Sequence, residues 1–520
     1  MMGACKVTDS KNSLAFKLIG ILALAICLLV AFRTGQDKLG YHVDEYYSYG
    51  LANSYYKPFP DDYNQWLSPD YYADYLTTSK EDRFSYGSVY YKQTQDVHPP
   101  FYYMVLHTVS SFFPGSFSKW LGLGLNLVVY ALILLVLYFF LRELLANRWL
   151  ALAFATFYGL SLGGLSSFVY IRMYLLLALI QVVFAYVAYK YLKTPSRKFL
   201  LAAMATTLFG GLTQYYYYIF AGILTAVLFV LLCLQKEVKA ASRFALGQAL
   251  SVLACIAIFP STIDHLLNSG RGNEVVGNLF GTQQVDQLRA FYDLIMDQLL
   301  AGYGKALLAF AILAFLVLCW QRKALDSFLL LALPTVLGVA LIALVSPYPS
   351  ARYIFAFYPL IIACAGLLYQ QVLAPIPDFD WAKLALLVCF LGGLTYMGHR
   401  EYEVDYLYPE SVDFMHIVKA NNQSPVIVIP QASEPQRIVW HTEELIQFPA
   451  IYPIEARQGD YREKIQQMAR GPVEDEVTLL IHRDVLNQHP EVLKALYDKF
   501  GFSENIWLGR NRHFELYRLH

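Results

Sequence analysis

Three groups of residues in this sequence have the types and spacing to do chemistry. The first is the acidic pair Asp44-Glu45, set among aromatic residues in Tyr41-His42-Val43-Asp44-Glu45-Tyr46-Tyr47. A carboxylate beside rings that exclude water can act as a general base on a hydroxyl. Adjacent side chains point in different directions, so at most one acid serves as the base, and the other orients a substrate or binds a neighbouring arginine. The plain alternative is a solvated acidic loop. The second group is Asp96-Val97-His98-Pro99-Pro100. Two prolines begin a helix well, because the first helical N–H groups have no partner inside the helix. Asp96 can cap such a helix and His98 can face a phosphate or a metal, or the segment is a helix start and nothing more. The third group is cationic. Arg172 lies in Tyr170-Ile171-Arg172-Met173-Tyr174, Arg271 and Glu274 lie in Ser269-Gly270-Arg271-Gly272-Asn273-Glu274, and Arg352 adjoins Tyr353. An arginine at the end of an apolar span commonly snorkels to the interface. Three on a side otherwise poor in cations suit a phosphate, which guanidinium groups bind in a paired geometry.

The elements that must position these residues are membrane helices. Of the 520 residues, 57% are hydrophobic and 15% are charged, with mean hydropathy +0.39. Soluble domains carry about 25% charged residues. Forty basic and forty acidic side chains cancel, which disfavours a nucleic-acid partner. Eleven apolar segments approach the roughly 20 residues a bilayer requires: 14–32, 118–141, 149–169, 173–192, 199–214, 217–234, 244–262, 304–320, 326–346, 353–372 and 382–399. Every second short connection is basic (Arg142 and Arg148; Lys190, Lys193, Arg197 and Lys198; Lys236, Lys239 and Arg243; Arg322 and Lys323). That alternation predicts a cytoplasmic N-terminus and an extracytoplasmic C-terminus. The segment 98–113 is apolar but short, and is expected to lie in the outer interface rather than to span. The middles of the spans hold essentially no ionisable residues, which speaks against an ion-coupled transporter.

The charge is unevenly distributed. Residues 403–520 hold 30 of the 80 charged side chains in 118 positions, the density of a soluble domain. The expected organisation is a membrane domain over 1–402, with a first outer loop at 33–116 and a second at 263–303, followed by a soluble domain over 403–520. The first loop is not disordered in composition, since it carries 15 of the 41 tyrosines between Tyr41 and Tyr103. The C-terminal region predicts a small α/β domain: 425–430 (PVIVIP) and 477–481 (VTLLI) read as buried strands, 489–500 as an amphipathic helix and 513–519 as a closing strand. The fold class is therefore mainly α, a polytopic membrane protein of about eleven helices with a small α/β domain.

The order Asp-Glu after the first span, then His-Pro-Pro, then Arg-Tyr near the outer end of a late span resembles the membrane glycosyltransferases of the C-type fold. The branch with protein O-mannosyltransferases and the lipid A aminoarabinose transferase is most similar. Gly210-Gly211-Leu212-Thr213-Gln214-Tyr215 looks like a Thr-His-Tyr segment of bacterial relatives, with Gln214 where a histidine is often found. The resemblance covers about 14–400. It implies a donor built on a polyprenyl phosphate such as undecaprenyl phosphate, inverting transfer of a monosaccharide to a hydroxyl of a cell-envelope glycan outside the cytoplasm, and a multi-pass bacterial membrane protein. It further implies that Asp44 is the base, with Glu45 beside it. Asp96, His98, Arg172, Tyr174, Gln214, Tyr215, Arg271, Glu274, Arg352 and Tyr353 are the expected substrate and phosphate contacts. Members of the family differ in metal use; His98 with Asp96 or Glu45 can supply ligands to a divalent ion. A glycolipid flippase or transporter shares the topology and the phosphate-binding arginines but needs no base. A third reading, an interaction protein anchored by its spans, explains eleven spans poorly.

Overall fold

The structure is a computed structural model, and it describes residues 2–268, 283–321, 325–373, 380–406 and 411–520. In chain order the first helices are α1 (Met2–Asp37), α2 (Val43–Asn53), α3 (Pro69–Leu76), α4 (Tyr86–Thr94), α5 (Phe101–Ser111), α6 (Lys119–Leu145), α7 (Arg148–Leu160) and α8 (Leu162–Val169). Then come α9 (Tyr174–Lys193), α10 (Arg197–Gly211), α11 (Tyr216–Leu234), α12 (Val238–Ile258), α13 (Ser261–Leu267) and α14 (Gln284–Leu300). The series of apolar helices closes with α15 (Gly304–Gln321), α16 (Leu325–Val345), α17 (Tyr358–Leu373) and α18 (Asp380–Glu401). Packing contacts divide the chain into two compact units. One comprises 1–37, 97–102 and 123–405; the other comprises 38–96, 103–122 and 406–520.

In the first unit the eleven expected spans fall on helical segments, the one at 149–169 on two helices, α7 and α8. Among the described residues seven are long and apolar enough to cross a membrane, and an eighth if the bent pair α7–α8 is one span. The chain is thus a multi-pass membrane protein. The helices α10 and α17 stand where spans were expected but have 15 and 16 residues. The span expected at 149–169 is broken at Ser161 by a 54° bend. Ser161 causes the break locally: its backbone is extended, and its hydroxyl accepts the Gly164 N–H at 3.1 Å to start α8. Asn147 starts α7 in the same way, accepting the N–H groups of Trp149 and Leu150. The short apolar segment near 98–113 is the 11-residue α5, about 16 Å long and too short to span.

The second unit is an α/β domain. Its later elements are α19 (Ser411–Ala420), β1 (Val426–Ile429), β2 (Ile451–Pro453), α20 (Tyr461–Gln467), β3 (Val477–His482), α21 (Glu491–Phe500), β4 (Asn505–Arg510) and β5 (Phe514–Leu519). The sheet order is β2-β1-β3-β5-β4. Strands β2, β1 and β3 are parallel, and β5 runs antiparallel to β3 and β4. β1 and β3 are buried on both faces, as a run of apolar residues requires. Ile427, Leu479 and Ile481 face a core shared with Val492 and Leu496 of α21; Val426, Val428 and Leu480 face one shared with Phe414 and Val418 of α19. The tyrosine-rich loop is part of this unit. Tyr72 of α3 is fully buried in the second core, Trp66 packs against the first, and Leu67 bridges Ile451. Residues 38–96 therefore group with the C-terminal residues rather than with the helices.

Candidate active site

The acidic pair begins α2, and its local sequence fixes which acid does what. His42 is the N-cap: its Nδ1 accepts the Asp44 N–H at 3.1 Å, and Glu45 Oε2 accepts the His42 N–H at 2.6 Å. This reciprocal capping box ties Glu45 back onto the helix start. Lys38 Nζ then pairs with Glu45 Oε2 at 2.9 Å, with both side chains essentially sealed from solvent. A buried pair of this kind holds only because each charge offsets the other. Asp44 differs. Its side chain keeps 23% exposure, and its Oδ2 stands 3.7 Å from His42 Nδ1. Since that nitrogen accepts a backbone proton, it cannot also donate to Asp44, and the contact is not an ion pair.

Around the pair is an aromatic wall. Tyr41 stacks on Phe117 with ring centroids 4.8 Å apart. Tyr49 donates to the Ser118 carbonyl at 2.8 Å, and Tyr46 donates to Glu443 Oε2 at 3.0 Å. The Tyr47 hydroxyl is held well above its usual titration range by burial first, and then by the charges of Asp44 and Asp96. The charges of Asp44 and Asp96, expected from two separate motifs, thus both act on one phenol.

In the first unit the cations and tyrosines converge. Arg352 is buried. It donates to Tyr170 Oη at 2.9 Å, to Tyr353 Oη at 3.1 Å and to the hydroxyl of Tyr348. The guanidinium also lies over the rings of Tyr353 and Tyr348, at 5.0 and 5.5 Å from their centroids. Tyr174 stacks on Tyr170 at 6.0 Å and meets Tyr353 edge-on at 6.2 Å. Arg172 lies between Tyr170 and Tyr174 in the same segment. The backbone here is fixed by Asn126, whose amide donates to the carbonyls of Phe168 and Tyr170 at 2.8 and 2.9 Å. Tyr216 packs edge-on to Tyr353 at 5.9 Å and leads to Gln214 and Tyr215. Gln214 turns its side chain onto the Tyr215 N–H at 2.6 Å, while the Tyr215 hydroxyl meets His265 Nδ1 at 2.9 Å. The His-Pro-Pro entrance adjoins the same segment, because the Phe101 N–H donates to the Leu212 carbonyl at 2.9 Å. His98 is half-buried there.

Arg172, Tyr174, Gln214, Tyr215, Arg352 and Tyr353 are thus brought together, as are Asp44, Glu45 and Asp96. Arg271 and Glu274 lie outside the described residues. Lys38, Tyr170, Tyr348, Asn126 and His265 were not among the expected contacts. The i, i+4 spacing of Tyr348 and Arg352 is a visible signal, whereas nothing in the sequence pairs Lys38 with Glu45. As for a divalent ion, no three His, Cys, Asp or Glu side chains among the described residues converge to hold one. Glu45, an expected donor, is committed to Lys38 and the His42 N–H.

No family model matches the chain, and no curated protein matches it in sequence. Solved structures match it in fold. The crystal structure of ArnT from Cupriavidus metallidurans bound to undecaprenyl phosphate aligns with TM-score 0.54 at 11% identity, over 96% of this chain and 97% of that chain. The same protein in the apo state aligns with TM-score 0.54 at 10% identity, over 95% and 97%. The likeness is one of fold, and it extends over nearly the whole of both chains.

Proposed function

We propose that the chain is an integral-membrane glycosyltransferase. It moves a monosaccharide from a polyprenyl-phosphate carrier to an acceptor hydroxyl of the bacterial cell envelope on the outer face, with inversion. The observation that carries this reading is the buried Arg352, held by three tyrosine hydroxyls beside Tyr174 and Arg172. A guanidinium so fixed is preorganised for an anion. The fold likeness to a protein crystallised with undecaprenyl phosphate supports a lipid phosphate as that anion.

In the proposed reaction the acceptor oxygen attacks the anomeric carbon as the bond from that carbon to the phosphate oxygen breaks. The hydroxyl proton passes to Asp44. The polyprenyl phosphate departs with the bonding electron pair, and its growing charge is met by Arg352 and Arg172. Glu45 does not take the proton, because Lys38 already holds its carboxylate; its part is to anchor the start of α2 and so to aim Asp44.

The test is Asp44→Asn in purified protein, incubated with a panel of undecaprenyl-phosphate sugars and candidate acceptors and followed by mass spectrometry. General-base loss predicts transfer slower by about 10²–10⁴-fold, with donor binding retained. Transfer at the parental rate would remove Asp44 from the mechanism. Movement of glycolipid across a bilayer without any transfer would favour a flippase.

A further inference from the structure

A groove opens in the first unit between α1, α6 and α7, with a volume of about 530 Å³. Its walls are apolar, with Leu24 and Cys27 of α1, Leu134 of α6 and Ala155 of α7 at its deep end. Its other end is cationic, because Lys17, Arg142 and Arg148 all line it. The nearest acid in sequence is already engaged: Glu143 binds Lys190 at 2.7 Å and Tyr186 at 2.6 Å. The guanidinium groups are instead spread over rings at the rim, Arg148 at 4.6 Å from Phe16 and Arg142 at 5.2 Å from Phe139.

Aromatic residues mark this end as a membrane interface. Trp149 meets Phe16 edge-on at 4.7 Å and Trp381 at 5.6 Å, as in the belts that tryptophans form at headgroup level. From Phe16 to Cys27 the wall of α1 extends about 17 Å. That is close to half of a hydrocarbon core about 30 Å thick, so the groove has the depth of one leaflet. It is also remote from the tyrosine-held arginine. The Glu143–Lys190 pair joins the rim of the groove to the last turn of α9, and the 20 residues of that helix, about 30 Å, lead to Tyr174 at the other end.

We infer that this groove is a binding site for an anionic phospholipid of the leaflet on the side of the basic connections. One acyl chain lies along α1, and the headgroup phosphate sits among Lys17, Arg142 and Arg148. A free phosphate has no use for the apolar walls, and a zwitterionic lipid brings its own cation into a ring of three. Basic residues at this end orient the helices in the membrane, but orientation alone requires no cavity beneath them.

The test is native mass spectrometry of the delipidated full-length protein, supplied with phosphatidylglycerol or phosphatidylcholine of identical acyl chains. With each basic residue near a membrane surface worth about 1 kcal/mol toward anionic lipid, the wild type should retain phosphatidylglycerol about tenfold or more in preference. The variant Lys17→Gln/Arg142→Gln/Arg148→Gln should lose that preference. Gly20 lines the groove, and a Cβ built there meets no atom within 4 Å. Gly20→Trp, with thermal melting as the check that it folds, should retain less of both lipids. Equal retention of the two lipids by the wild type, or a preference that survives the triple substitution, would overturn the headgroup assignment. Undiminished binding of both lipids by Gly20→Trp would overturn the groove as the seat.

Discussion

At the scale of single residues, adjacent acids with one sequence environment have different lives. Glu45 is closed in by Lys38 and a backbone N–H, whereas Asp44 is one step further round the helix and remains accessible. Another pair of residues in the α/β unit makes the same point through protonation. Glu444 and His441 are both buried, with Oε2 and Nδ1 3.9 Å apart, yet neither atom has a hydrogen-bond partner among the described residues. Burial pushes the Glu444 carboxyl up to about 8 and, with the charges of His513 and His482, pulls the His441 imidazole down to about 3. Near neutral pH both are uncharged, so the short distance is not an ion pair. The folded carboxyl titrates above its ordinary value of 4.5. Its contribution to stability is therefore full below that value and is lost as the pH rises through about 8. Glu444→Gln keeps the shape and cannot ionise. It should melt several degrees above the wild type at pH 8.5, at about 2–4 °C per kcal/mol for a unit of this size, and the gap should close toward pH 5. A gap that does not change with pH would show that Glu444 is not buried as a neutral acid.

At the scale of elements, the helix termini decide where the site residues stand. The His42 cap places Asp44 in the first turn of α2, where the partial positive charge of a helix start suits an anion. The break at Ser161 ends one helix and starts another within a single predicted span. It depends on close packing: a Cβ on Gly164 would lie 2.2 Å from the Tyr158 carbonyl oxygen and 2.7 Å from the Tyr130 hydroxyl. Backbone cannot yield as a flexible side chain does. Gly164→Ala should destabilise the protein by about 1–3 kcal/mol and lower the yield of folded protein. Gly392→Ala, whose Cβ meets nothing within 4 Å, serves as the control and should not. Equal melting temperatures for the two variants in detergent would refute the crowding at the bend.

At the scale of the whole molecule, the boundary near residue 402 is not a place to cut. Residues 38–96 and 103–122 belong to the unit that contains 406–520. Trp66 donates to the Ala469 carbonyl at 2.9 Å, Tyr452 donates to the Asn64 carbonyl at 2.8 Å, and Tyr72 fills the core beneath β1. A fragment comprising 403–520 alone would leave that core open. Removal of a buried aromatic side chain costs about 3–5 kcal/mol, a large part of the stability of a small domain. The fragment should give poorly dispersed amide resonances and bind hydrophobic dyes. A sharp spectrum with a cooperative melt would show that the loop is dispensable to the fold.

The sequence by itself determined the membrane class, the positions of the apolar helices and the buried strands β1 and β3, and it supplied the candidates for the site. These are legible because bilayer thickness and the burial of a strand on both faces act on contiguous residues. The strand β4 escaped because it is an exposed edge with little alternation, and β2 because it has only three residues. Only the tertiary structure decided that Arg352 is caged by Tyr170, 182 positions away, that Lys38 neutralises Glu45, and that the tyrosine-rich loop is built into the C-terminal unit. Those outcomes rest on contacts between distant segments. Burial makes each such contact decisive, since a charge or hydroxyl removed from water must find its partner wherever the fold supplies one.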